Sequence, residues 1–134
     1  MKRALAVAAI LGLCSAGCTS SNPASASPFT VQVSGTAEPT IRIRQDIASP
    51  HNGMLTVALS WANPAVDLDL YLTTATCTDP FSTSSTCVKI ASSDGTSMPE
   101  RVNATVTTGA PQLTAWLINW GSVSQPYTLT INVN

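Results

Sequence analysis

Along most of this chain, apolar and polar residues alternate one by one. Ile41 and Ile43 alternate with Arg42 and Arg44, and Leu55, Val57, Leu59 and Trp61 alternate with Thr56, Ala58 and Ser60. Leu68, Leu70 and Leu72 alternate with Asp67, Asp69 and Tyr71. Val88 and Ile90 flank Lys89, Val102 to Val106 follow the same rule, and Tyr127 to Val133 close the chain with it. A period of two places successive side chains on opposite faces of a half-buried strand. The run Leu113 to Trp120 is apolar on both parities and reads as a central strand. With a weaker run from Phe29 to Val33, the pattern predicts about eight strands and no helix longer than two turns.

Turn chemistry punctuates these runs at His51-Asn52-Gly53, Asn63-Pro64, Asp79-Pro80, Asp94-Gly95, Gly109-Ala110-Pro111 and Gly121. Many short strands at even spacing predict an all-β antiparallel β-sandwich or jelly roll. A length of 134 residues suits one such domain. Serine and threonine number 34, which fits the solvated faces of sheets. Only 10% of residues are charged and the net charge is −1, so the chain carries no basic footprint for nucleic acid.

The first residues break the pattern. Lys2 and Arg3 precede the ten-residue apolar run Ala4 to Leu13, too short for a membrane span and suited to a signal peptide. The following Ser15-Ala16-Gly17-Cys18 resembles a bacterial lipobox, with Ser15 where Leu is usual. The resemblance implies a signal peptide over 1–17 and lipidation at Cys18. Residues 18–28 form a Ser/Ala/Pro-rich tether, and 29–134 the folded domain. Thr19 after the cysteine implies an outer-membrane lipoprotein of the cell envelope, and a membrane partner through the lipid. Plain secretion through Ala24-Ser25-Ala26 is the other route. Loss of Lys2 and Arg3 leaves four basic and seven acidic residues, a mature charge of 4 − 7 = −3.

Of four cysteines, Cys14 leaves with the leader and Cys18 takes lipid. Cys77 and Cys87 remain and are expected to form a disulfide closing a surface loop. One histidine and no C-x-x-C pair argue against zinc.

The segment from Leu59 to Leu72 (LSWANPAVDLDLYL) resembles the bacterial pre-peptidase C-terminal domain, a family with a tryptophan-ended strand followed by D-L-D-L-Y-L. Pro99-Glu100-Arg101-Val102, Asn119-Trp120-Gly121 and Pro126 to Ile131 are similar to later family elements, in the family's order. The resemblance covers residues 38–134 and implies an eight-stranded sandwich serving as an accessory or binding module of secreted peptidases. Some members of the wider group bind collagen or calcium.

Asp67 and Asp69 project from one strand face roughly 7 Å apart, with Tyr71 continuing the row. Calcium is the candidate cofactor for this pair, with Glu38, Asn63 and Glu100 as further oxygen donors. The alternative is that the two carboxylates serve the fold. Trp61, Trp116 and Trp120 are core candidates, with Trp120 and Tyr71 as candidate ligand contacts. His51 is the lone imidazole, no nucleophile elbow accompanies it, and no enzyme is expected. The expectation is a monomeric, non-catalytic envelope lipoprotein that binds an extracellular polymer or protein. The alternative is a calcium-stabilised accessory module of a separate exoenzyme.

Overall fold

The computed structural model describes residues 27–134. The expected signal peptide, Cys18 and most of the expected tether lie outside the described residues. Eight strands follow in order: β1 (Phe29–Ala37), β2 (Arg42–Ser49), β3 (Gly53–Trp61), β4 (Leu68–Thr74), β5 (Lys89–Ser93), β6 (Glu100–Val106), β7 (Gly109–Asn119) and β8 (Gln125–Val133). They form two four-stranded sheets, β1-β8-β3-β6 and β2-β7-β4-β5, with every strand pair antiparallel. The chain therefore crosses from sheet to sheet at nearly every connection. Only β4 to β5 joins neighbours within one sheet.

The alternation read from the sequence sets what each sheet buries. Leu55, Val57 and Leu59 of β3 and Leu129, Ile131 and Val133 of β8 face Leu68, Leu70 and Leu72 of β4 and Leu117 of β7. Burying each side chain of this size stabilises the fold by about 1.5–3 kcal/mol. Trp61 joins this core, and its indole Nε1 donates to the Val66 carbonyl at 2.7 Å.

Three details depart from the sequence expectation. β1 extends four residues past Val33, because its pairing with β8 continues to Ala37. The Gly109-Ala110-Pro111 turn is instead the start of β7, with the reversal at Thr107-Thr108. Pro111 is tolerated there because β4 pairs with β7 only as far as Leu113. Val88 and Ile90 are exposed, not inward-facing. A register shift between Leu72 and Thr73 pairs Leu72 with Ala91 and Thr73 with Lys89, so the parity of β5 changes at Ile90.

Candidate binding site

The β2-β7-β4-β5 sheet is apolar on both faces, as the Leu113–Trp120 run requires. Its outer face carries Trp116 and Ile118 of β7 beside Tyr71 and Asp69 of β4, in the register Tyr71 with Trp116 and Asp69 with Ile118. Tyr71, Trp116 and Ile118 are all at least nine-tenths buried although they point away from the main core. Residues 75–88, the connection from β4 to β5, cover them. Cys77 and Cys87 form the expected disulfide, and Cys77 packs with Tyr71, Trp116 and Ile118 in a second small core.

Polar contacts hold this strap down. Arg44 lies over the Trp116 ring at 5.6 Å and donates to the Cys77 and Ala75 carbonyls at 3.2 and 3.1 Å. The Ala75 amide donates to the Gln112 carbonyl at 3.0 Å. Arg42 pairs with Asp79, whose other carboxylate oxygen accepts the Phe81 amide at 2.8 Å. That turn projects Phe81 back over the sheet. Its ring meets Tyr71 edge-on at 5.2 Å and Trp120 at 6.4 Å with a 46° tilt.

The result is an aromatic platform. Phe81 is 45% exposed and Trp120 is 50% exposed, whereas Tyr71 forms the floor. Asp69 fixes it from below: its Oδ2 accepts Trp120 Nε1 at 2.7 Å and Tyr71 OH at 2.8 Å. The Trp120 amide extends the ladder by donating to the Asp67 carbonyl at 3.0 Å. Lys89 stands 5.9 Å over the Tyr71 ring and Arg42 stands 5.3 Å over Phe81. Burial raises the Asp69 carboxyl above its ordinary value, opposed by the Tyr71 and Trp120 hydrogen bonds. Burial, followed by the bond to Asp69, raises the Tyr71 phenol.

Two of the expected calcium donors, Glu38 and Asn63, have partners of their own. Ser124 donates to Glu38, and Asn63 Oδ1 accepts the Ala65 amide at 3.0 Å. Glu100 is buried between the sheets, where its Oε2 accepts the Leu70 amide at 2.8 Å. Burial pushes the Glu100 carboxyl up to about 8, against the lowering effect of the Leu70 amide. Asp67, Asp69 and Glu100 each keep one buried oxygen without a hydrogen-bond partner. Among the described residues, no group of three or more His, Cys, Asp or Glu side chains is placed to hold a metal ion. Asp69 Oδ2 positions two rings, and Glu100 Oε2 holds the Leu70 amide of β4.

Of the candidate ligand contacts, Trp120 stands at the surface, and Tyr71 supports it from beneath. Trp61 and Trp116 are buried in separate cores. Phe81 escaped the sequence reading because it lies in the polar loop between the cysteines with no periodic partner. His51 sits in the β2–β3 turn, joined through Asn52 Oδ1 to the Thr108 amide, at the opposite end of β7 from Trp120.

No protein family profile matches the chain, and no curated protein matches it by sequence. Solved structures do share its architecture. The Yersinia pseudotuberculosis-derived mitogen superposes with a TM-score of 0.57 at 17% identity, over 80% of this chain and 87% of that one. An Aeromonas hydrophila periplasmic inhibitor of g-type lysozyme gives 0.51 at 10% identity, over 81% and 89%. The pre-peptidase C-terminal domain of a Bacillus anthracis collagenase gives 0.52 at 8% identity, over 77% and 89%. The shared feature is the β-sandwich fold, which hosts unrelated functions.

Proposed function

We propose that this protein is a non-catalytic cell-envelope lipoprotein whose β-sandwich binds an extracellular polymer or protein through the Trp120–Phe81 platform. The observation that carries the reading is that two large aromatic side chains are half-exposed yet held in place. The indole is fixed by Asp69, and Phe81 is fixed by the Asp79 turn within the disulfide-closed strap. Exposed aromatic residues with a supported orientation lose little side-chain freedom on binding and dominate the energetics of recognition. The anchor reading rests on the leader and Cys18, and the disulfide belongs to an oxidising, extracytoplasmic setting.

The structural neighbours, a mitogen, a lysozyme inhibitor and a pre-peptidase C-terminal domain of a collagenase, are consistent with a non-catalytic module. A co-sedimentation panel with insoluble chitin, cellulose, collagen and peptidoglycan tests the reading. At least one material retains the wild-type chain, and the Trp120→Ala/Phe81→Ala double variant is released. Retention of neither protein on any material, or equal retention of both, overturns the proposal.

A further inference from the structure

Resting on the binding-module reading, we infer that the platform takes a neutral polysaccharide, seating the C–H face of a pyranose ring on Trp120 and Phe81. The ring donors that would ordinarily read a ligand are spent inside the protein. Trp120 Nε1 and Tyr71 OH both donate to Asp69 Oδ2, at 2.7 and 2.8 Å. What Trp120 offers outward is therefore the face of its ring, and recognition proceeds by stacking.

A polyproline-like peptide presents carbonyl acceptors alone, which would leave the accepting capacity of the strap hydroxyls unused. A quaternary-ammonium or lysine cage is also excluded by geometry. Centroids 5.2 and 6.4 Å apart mean that the rings touch one another, leaving no gap for a cation between them. The protein's own Arg42 and Lys89 already stand over Phe81 and Tyr71.

Charge narrows the choice further. Arg42 is paired with Asp79, and Lys89 stands over the ring whose hydroxyl binds Asp69. Each cation of the patch already has a partner within the protein, Asp79 for Arg42 and the Tyr71 ring for Lys89, so neither is set out to select an acidic polymer. The strap is rich in hydroxyls, with Thr83 and Ser85 exposed two and four residues after Phe81. Such groups give and accept hydrogen bonds equally, which matches the equatorial hydroxyls around a sugar ring. A pyranose has this combination of an apolar face and a hydroxyl edge.

The test uses the full chain in a sugar-free detergent, titrated with cellohexaose, chitohexaose and maltohexaose. Tryptophan fluorescence and calorimetry are the readouts. The inference predicts saturable binding of at least one neutral hexaose with a shift in Trp120 emission. Trp120→Ala and Phe81→Ala each weaken it by about tenfold or more. Trp120→Tyr, which keeps a ring, retains part of the affinity, and near-UV circular dichroism identifies any variant that fails to fold.

Sugar binding unchanged in folded Trp120→Ala and Phe81→Ala overturns the placement. Trp120-dependent binding of a Pro-Pro-Gly repeat peptide, with no hexaose bound, overturns the saccharide assignment and leaves the binding-module reading standing. No binding of any hexaose, with nothing retained in the co-sedimentation panel, overturns both.

Discussion

Two carboxylates show how much a single residue decides here. Asp69 is a buried acceptor for two ring donors, so its role is to orient Trp120 and Tyr71. Asp69→Ala leaves the phenol and the indole N–H without that acceptor. The expected loss is about 1–3 kcal/mol of stability, measured by urea unfolding, accompanied by a looser Trp120 in fluorescence anisotropy. Glu100 is an interior carboxyl raised to about 8 by burial. Its folded form holds a proton that the unfolded chain releases near 4.5. Its contribution to stability is therefore fully present below the unfolded value and is lost as pH rises through about 8. The melting temperature is expected to fall across that range, and Glu100→Gln, which keeps an acceptor for the Leu70 amide, flattens the profile. An unchanged pH slope in Glu100→Gln would contradict this assignment. Neither role was legible in the sequence. The strand parity of Asp69 was correct, but a two-residue spacing does not show that both hydroxyl and indole donors converge on one oxygen.

At the scale of elements, strands were legible and the strap was not. The doubly apolar run located β7, and the period of two located the other seven strands, because a face against the core is written in every second residue. It misplaced Val88 and Ile90 because a register shift has no signature in alternation. It missed Phe81 because the 75–88 connection is shaped by a disulfide, an Asp79 turn and two arginines reaching from β2, all non-local. The cysteine pairing was legible by elimination, but its consequence was not: the loop it closes is a cover over Trp116 and Ile118. Removing the bridge in Cys77→Ser/Cys87→Ser is expected to cost about 2–3 kcal/mol through chain entropy, read by thermal unfolding. It should also raise the exposure of Trp116 to acrylamide quenching and disorder Phe81. A variant with unaltered quenching would show that Arg44 and the backbone contacts hold the strap alone.

For the whole molecule, the sandwich architecture follows from composition and periodicity, and the solved neighbours share it at 8–17% identity. Fold and function separate at this scale, since the same fold is found in a mitogen, a lysozyme inhibitor and a pre-peptidase C-terminal domain of a collagenase. This chain carries the Trp120–Phe81 platform on one sheet's outer face, and the proposal adds a lipid anchor at Cys18. Full-length protein is expected to partition into the detergent phase of a Triton X-114 separation, and Cys18→Ser to move to the aqueous phase. An aqueous wild type would replace anchoring by plain secretion. The central claim is that Trp120 and Phe81 form a binding surface, and co-sedimentation with insoluble envelope and extracellular polymers tests it most directly. The account predicts that wild type is retained and that a folded Trp120→Ala/Phe81→Ala variant is released. Equal retention of the two proteins would contradict it.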